Sequence, residues 1–352
     1  MLLAIALGAR GLGRVWPNPA VGCVIVRDGR ILARGWTQPG GRPHAEAMAL
    51  AGCDARGATA YVSLEPCAHH GRTPPCCDAL IAAGVARVVT ALTDPDPRVS
   101  GQGHARLRAA GVIVEEGVET EAAALVNAGF LLRVTEGRPW VTLKLAQTLD
   151  GRIATASGES RWITGAEARR AVHALRARHD AVLVGGGTAR ADDPDLTVRD
   201  LGVAHQPVRV VASRGLDLDP KGRLGRTADD VPVWLLHAEG LPVPDAWAEN
   251  AARLIGCAVK DNALNPRAML TALADEGITR VFCEGGGALA ASLLGAGVVD
   301  ELVVFTAGKL IGADGVPGMG ALGLARLADA PRFDLVGFDR VGCDTYQIWR
   351  RR

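Results

Sequence analysis

Across 352 residues the chain carries 39 basic and 38 acidic side chains, a formal net charge of +1, so it lacks the overall positive field that favours nucleic acid or a membrane surface. The length suffices for two ordinary domains, and the eight cysteines lack the short-chain density of a disulfide scaffold. A small-molecule substrate and a reducing cytoplasm are expected, and no apolar run approaches the roughly 18 residues of a membrane span.

MLLAIALGAR is briefly apolar, but no basic segment precedes it and PNPAVG follows too soon for a cleavable signal, so it reads as helix. VGCVIVRDGRILARGW reads as a hairpin turning at Asp28-Gly29, a pair that favours positive φ. PHAEAMALAG opens with proline, continues in alanine-rich helix formers and stops at glycine, which puts His44 and Glu46 at a helix start. ATAYVSLEP is expected to be a strand ending at Pro66, with Cys67 just past it. CCDALIAAGV is the next helix, so Cys76 or Cys77 stands at its N-terminus, where the helix dipole favours a thiolate. ARVVTALTDPDP and GVIVEEGV add strands with a helix between them, and the alternation predicts a layered α/β domain.

Glu136-Gly137-Arg138-Pro139 breaks this pattern, and a boundary near residue 137 is expected, giving domains 1–137 and 138–352. WVTLKLAQTLDGRIA is a strand and turn, RWITGAEARRAVHALRARH a helix, and DAVLVGGGTARADDPDLTVR a strand running into a glycine-rich loop. PVRVVASRGL and VPVWLLHAEG are buried strands, the polar stretch 216–232 carries no functional expectation, and RVFCEGGGALAASLLGAGVVDELVVFTAGKLIG closes the domain as strand, glycine loop, helix and strand.

His44, Glu46, Cys67 and a cysteine at 76 or 77 make up the group that a zinc-activated water needs. Zn²⁺ takes imidazole nitrogen and thiolate sulfur, and three protein ligands leave a fourth position open for water. Glu46 stands too close to His44 to share the metal easily, yet near enough to take a proton from the water and pass it on. A lone histidine at a helix start is usually just a satisfied polar residue; here the ordered set with helix, strand and helix between its members favours catalysis. The competing structural zinc site would have four protein ligands, with Cys77 or the pair His69-His70 as the fourth, but it has no use for Glu46. Asn18, between two prolines, suits a hydrogen bond to a substrate ring as well as to its own loop. Cys23 and Cys53 read as small buried apolar residues. In the second half the glycine loops allow close approach of backbone to phosphate, but neither has the G-x-G-x-x-G spacing.

H-x-E followed by P-C-x-x-C is the signature of zinc deaminases; here eight residues separate Cys67 from the next cysteine. The insert AHHGRTPP, with PNPAVGCVIV and CCDALIAAGVARVV, resembles the deaminase half of the bifunctional riboflavin-pathway enzymes, in which a pyrimidine deaminase is joined to a ribosyl reductase. KLAQTLDGRIA, SGESRWIT, GTARADDPDLTVR and EGGGALA resemble the reductase half, so the likeness covers nearly the whole chain. It implies a cytidine-deaminase-like three-layer α/β domain followed by a dihydrofolate-reductase-like α/β domain, using Zn²⁺ and NADPH.

The resemblance implies zinc ligands His44, Cys67 and Cys76, with Glu46 as the proton shuttle; His69 and His70 are then expected to line the substrate entrance rather than to bind the metal. Its cofactor positions fall on Ala146, Trp162, Thr188, Asp192, Ser213 and the run Gly286, Gly287, Ala288, Leu289, Ala290, Ala291 and Ser292. Its substrate positions, besides Asn18, fall on Ser160, Arg176, Leu196, Arg199 and Glu284. Arg176 and Arg199 make physical sense as a clamp on a ribose 5-phosphate, since guanidinium offers paired donors. Lys144 and Glu284 are the candidates for proton transfer. Ala189-Arg190 stand where the family usually has aliphatic residues, and Gly308 where it has proline. Members usually begin a little earlier, so the first helix is expected to be clipped, and they are often dimeric or tetrameric. The expected activities are deamination of a diamino-ribosylamino-pyrimidinone 5′-phosphate and reduction of its ribosyl group to ribityl. One rival is a zinc deaminase of another nucleoside or of RNA with a non-catalytic second domain, and another is a zinc-stabilised binding protein.

Overall fold

The computed structural model describes residues 1–69, 74–97 and 99–352, and the chain separates into two compact units, Met1–Arg138 and Pro139–Arg352. The first contains α1 (Leu2–Gly8), β1 (Gly22–Arg27), β2 (Arg30–Trp36), α2 (Ala45–Leu50), β3 (Thr59–Val62), α3 (Cys76–Ala82), β4 (Arg87–Thr90), α4 (Gln102–Ala109), β5 (Ile113–Glu115) and α5 (Thr120–Glu136). Its sheet runs β2-β1-β3-β4-β5. β1 is antiparallel to both neighbours, while β3, β4 and β5 are parallel.

The β1–β2 hairpin turns at Asp28 and Gly29 with φ of 51° and 71°, the positive values a right-twisted two-residue turn requires. Cys23, Ile25, Ala60, Val62 and Val88 point into a core closed by Ala45, Ala49, Cys77 and Leu80 of the helices, and Cys53 packs against it. Helix α2 crosses β2 so closely that a Cβ at Gly35 would stand 2.1 Å from the Ala45 carbonyl oxygen. That approach carries His44, the residue before α2, to the end of the sheet.

The expected strand through Pro66 stops at Val62. Residues 63–66 leave the sheet because Glu65 turns its carboxylate inward to accept from backbone N–H groups of Asp94, Gly101, Gly103 and His104. Cys67 is therefore presented by a turn.

The second unit contains β6 (Trp140–Thr148), β7 (Arg152–Ala154), α6 (Ala166–Arg176), β8 (Ala181–Gly185), α7 (Gly186–Asp192), β9 (Val208–Ala212), α8 (Arg223–Arg226), β10 (Val233–Ala238), α9 (Asp245–Ala248), β11 (Arg253–Cys257), β12 (Val259–Lys260), β13 (Ala263–Leu264), α10 (Pro266–Asp275), β14 (Arg280–Cys283), α11 (Gly287–Gly295), β15 (Glu301–Ala307), β16 (Val316–Pro317), β17 (Phe333–Val341) and β18 (Asp344–Arg351). Its large sheet runs β11-β10-β9-β8-β14-β6-β15-β18-β17, parallel from β11 to β15 and antiparallel in the last two pairings.

The parallel strands read as continuous apolar runs because both faces are covered: Val182, Val184, Val211 and Leu235 pack on one side, Phe282, Val303 and Phe305 on the other. Two expectations are corrected. The stretch Gly186–Asp192 is a helix rather than a loop, and α6 starts at Ala166 rather than near Arg161, with Gly165 as its extended N-cap. The stretch 216–232 is anchored by Arg209, 1 % exposed, whose guanidinium donates to the carbonyl oxygens of Thr227 and Val231.

Candidate functional site

In the first unit three elements deliver the metal-ligand candidates. His44 caps α2 with an extended backbone, Cys67 follows the turn, and Cys76 is the first residue of α3. His44 Nδ1 lies 3.3 Å from Cys76 Sγ and 3.7 Å from Cys67 Sγ, and the three ligand atoms all lie within 4.8 Å of one another. The Cys76 backbone N–H donates to Cys67 Sγ at 3.3 Å. Cys77 is turned into the apolar core, away from the group. Among the described residues the cluster contains no fourth histidine, cysteine or carboxylate ligand. His70 lies outside the described residues.

Glu46, in the first turn of α2, is 3 % exposed. Burial, followed by the neighbouring Cys67 sulfur, pushes its carboxyl up to about 7. Hydrogen bonding from the Cys76 thiol is the largest influence holding Cys67 down at about 4, and the same bond pushes Cys76 upward. One nitrogen and two sulfurs, with a carboxylate beside them, concentrate negative charge that a dication would neutralise, and they match the three-protein-ligand set of a zinc site with an open position.

A cavity of about 320 Å³ opens on this cluster, with Asn18, Arg42, His69, Asp94 and Phe130 among its walls. Asn18 owes its place to Gly41: at φ +80° a Cβ there would overlap Asn18 Nδ2 at 1.9 Å. His69 lines the cavity with Nδ1 buried and without a hydrogen bond among the described residues. Sequence reasoning missed Asp94, whose carboxyl burial pushes up to about 6, and Glu65, which ties the loop carrying Asp94. The TDPDP turn was a signal for Asp94; the partners of Glu65 lie about 30 to 40 residues away and left no local trace.

In the second unit Lys144 on β6, Arg176 at the end of α6 and Glu284 after β14 converge. Arg176 Nε donates to Glu284 Oε1 at 2.5 Å, and Lys144 Nζ lies 3.9 Å from Oε2. Burial raises the Glu284 carboxyl, but Arg176 and Lys144 together outweigh it and leave it below the usual range. Arg176 also donates to the Thr197 carbonyl, while Arg199 donates to Thr197 Oγ1 and Asp195, so both candidate clamp arginines gather at the same turn. Leu196, in that turn, is 3 % exposed at φ 55°.

Helix α7 after β8 and the glycine loop after β14 are joined by the Gly286 N–H donating to Thr188 Oγ1 at 3.2 Å. Cβ atoms at Gly285 and Gly287 would meet Leu289 Cδ2 at 2.6 Å and the Pro317 oxygen at 3.0 Å, so close packing of the chain on itself requires glycine at both, and the start of α11 beside them is a helix N-terminus of the kind that attracts phosphate. Gly287, Ala288 and Leu289 open α11, whereas the Ala290 N–H donates to the Gly286 carbonyl inside the helix, and the Ala290 and Ala291 side chains are buried. Ser292 lies in the following turn. Arg161 bonds the Asp192 carbonyl, and the exposed Trp162 ring sits under Arg169. Ser213 stands beside Gly186; Ala146 packs against the core near Phe305, and Ser160 precedes α6.

Residues 1–92 match the model described as the cytidine and deoxycytidylate deaminase zinc-binding region, and residues 139–346 match the RibD C-terminal domain. The chain is 44 % identical to the riboflavin biosynthesis protein RibD of Escherichia coli K12, over 98 % of this chain and 96 % of that protein. It is similar to the solved structure of Acinetobacter baumannii RibD (form 1), with TM-score 0.90, 38 % identity and coverage of 100 % and 97 %. It also resembles a Thermotoga maritima structure described as a diaminohydroxyphosphoribosylaminopyrimidine deaminase/5-amino-6-(5-phosphoribosylamino)uracil reductase, with TM-score 0.87, 37 % identity and coverage of 100 % and 97 %.

Proposed function

The chain belongs to the RibD family of riboflavin-biosynthesis proteins, and from that premise we propose that His44, Cys67 and Cys76 hold its catalytic zinc ion and that Glu46 is its proton shuttle. The protein is a bifunctional enzyme of riboflavin biosynthesis, a zinc-dependent deaminase and an NADPH-dependent reductase. We assign the deaminase to 1–137 and the reductase to 138–352, a division supported by the compact units Met1–Arg138 and Pro139–Arg352. Full-length likeness to RibD proteins favours this over a deaminase of another nucleoside or RNA with an inert second half.

The convergence of His44, Cys67 and Cys76 beside buried Glu46 carries the reading. Zinc, when bound, supplies Lewis-acid activation of water at the open position. Glu46 takes the water's proton at a carboxylate oxygen, delivers it to the pyrimidine ring nitrogen, and then assists departure of ammonia as the amino-bearing carbon becomes a carbonyl. Its carboxyl, raised by burial, both accepts and returns a proton near neutral pH. Asn18, which lines the same cavity, orients the ring.

NADPH, when bound at the glycine-rich segments after β8 and β14, supplies the hydride that reduces the opened ribosyl carbon. Arg176 and Arg199 hold the 5′-phosphate, with Ser160 and Leu196 shaping the same end; Lys144 supplies the accompanying proton, and Glu284, kept ionised by Arg176 and Lys144, is its carboxylate partner rather than a donor. The cofactor positions are those named above, Ala146, Trp162, Thr188, Asp192, Ser213 and Gly286 to Ser292, through their backbone as much as their side chains.

A homo-oligomer in the cytoplasm completes the reading. It is supported by the edge strand β17, which leaves Leu335, Val336 and Phe338 exposed by 45 to 65 %, and by eight free cysteines. Among the described residues no helix is long and apolar enough to cross a membrane.

The test is a coupled assay on the diaminopyrimidine phosphate. Ammonia should appear without NADPH, and NADPH should be oxidised once the deaminated product exists. Ammonia with no later oxidation would remove the reductase half, and no ammonia with zinc bound would remove the deaminase half.

A further inference from the structure

β8 and β9 are parallel neighbours, with Gly185 opposite Ala212, so α7 and Ser213 leave the sheet side by side at its C-terminal edge. Ligands of open parallel sheets bind outside that edge. A Cβ at Gly186 would lie 3.0 Å from Ser213 Oγ and 3.3 Å from Arg190 Nη1, so bare backbone, hydroxyl and guanidinium meet at one point. Thr188, two residues further along α7, ties this point to the glycine loop after β14 through the Gly286 N–H.

Asp217 completes the group. Its Oδ1 accepts from Ser213 Oγ at 2.8 Å and its Oδ2 from Arg190 Nη1 at 2.7 Å. The Ser213 bond first, then Arg190, hold the carboxyl below its usual range, so it is ionised at neutral pH. Both side chains remain accessible, Arg190 at 48 % and Asp217 at 64 %. The Arg190 Nε and Nη2 groups make no hydrogen bond among the described residues.

Next to the pair is a cavity of about 330 Å³ with Arg190 and Asp217 at one side and Leu218, Leu224 and Trp247 among its walls. Trp247 is 2 % exposed, and its indole Nε1 is buried without an acceptor among the described residues. This cavity, apolar at Leu218, Leu224 and Trp247 and also lined by the Asp193 and Asp219 carboxylates, suits a heteroaromatic base that carries an amino donor, and the polar pair at its side suits the sugar attached to that base.

A carboxylate accepts the hydroxyls of an unphosphorylated ribose and repels a phosphate on it; an arginine does the reverse. Here the two are paired, so the arginine neutralises the repulsion and keeps free donors for a phosphate. We propose that Arg190 and Asp217 set the dinucleotide preference, Arg190 binding the 2′-phosphate of NADPH while Asp217 accepts the ribose hydroxyls of NADH, with the adenine in the Trp247 cavity. This deepens the reading of the second unit as an NADPH reductase and rests on it.

The test is equilibrium binding of NADPH and of NADH to the full chain, followed by nicotinamide fluorescence without substrate, for wild type, Arg190→Ala and Asp217→Asn. Arg190→Ala should weaken NADPH by about tenfold or more and leave NADH within about twofold. Asp217→Asn should weaken NADH and leave NADPH at least as tight. An unchanged NADPH-to-NADH ratio in Arg190→Ala, or equal weakening of both nucleotides with an unaltered Tm, would overturn the proposal. Wild type binding neither nucleotide is a separate outcome, which removes the reductase reading and the proposal with it.

Discussion

Replacing Arg176 by methionine removes the strongest partner of a carboxylate that has nowhere to go. The Glu284 side chain is 10 % exposed and that of Arg176 is 12 %, and the remaining cation, Lys144, is 3.9 Å away without hydrogen-bond geometry. Breaking a buried pair from one side costs about 3–5 kcal/mol, because the surviving charge is left desolvated. For a unit of this size each kcal/mol moves Tm by roughly 2–4 °C, so the second unit should lose about 6–20 °C. Arg176→Met/Glu284→Gln should recover most of that loss, since removing both charges leaves neither stranded. Calorimetry on the full chain measures all three proteins. The pair is also pH-linked. The Glu284 carboxyl lies below its ordinary value in the folded protein, so its contribution is complete above about pH 4.5 and is lost as pH falls through the folded value. Glu284→Gln should lack that acid loss. An Arg176→Met variant destabilised by less than about 1 kcal/mol, or a double variant no more stable than the single one, would refute the reasoning.

Glu46→Gln should retain zinc and lose about 10²- to 10⁴-fold in deamination kcat; a variant with normal ammonia release would remove Glu46 from its role. Glu65→Gln puts an amide where a carboxylate accepts four backbone N–H bonds. It should cost about 1.5–3 kcal/mol and raise the deaminase KM through the Asp94 loop, with metal content unchanged; unchanged KM and stability would count against that tie. His179 is buried, its Nδ1 2.7 Å from the Leu175 carbonyl and its Nε2 3.0 Å from Thr142 Oγ1, and burial depresses it to about 3. Its contribution is complete above about pH 6.5 and falls as the solution is acidified, by about 2 kcal/mol between pH 7 and 5. Urea unfolding of His179→Gln should lack this loss, and parallel pH profiles would contradict it.

What was legible in the chain was what its spacing encodes. His44 and Glu46 stand two residues apart on one helix start, and the proline before Cys67 and the cysteine pair at 76 and 77 mark their turns. The choice between Cys76 and Cys77 could not be made from helical order alone; in the folded protein Cys77 faces the apolar core. β3 was read too long because VSLEP continues an apolar pattern, whereas its end is set by Glu65 reaching N–H groups more than twenty-five residues away. Three glycines made 185–192 look like loop, yet Gly186 starts a helix pressed against Ser213. The stretch 216–232 looked idle because its meaning lies in partners elsewhere, Arg209 beneath it and Arg190 beside Asp217. The closing hairpin of β17 and β18 carried no expectation, although it extends the large sheet past β15.

The most direct measurement is X-ray absorption at the zinc edge of the purified full chain, with metal content determined on the same sample. One zinc per chain should show two sulfurs near about 2.3 Å, one imidazole nitrogen near about 2.0 Å and one light atom from solvent, unchanged in Glu46→Gln. A shell of four protein ligands, or one in which Cys76→Ser leaves the sulfur count at two, would contradict the account.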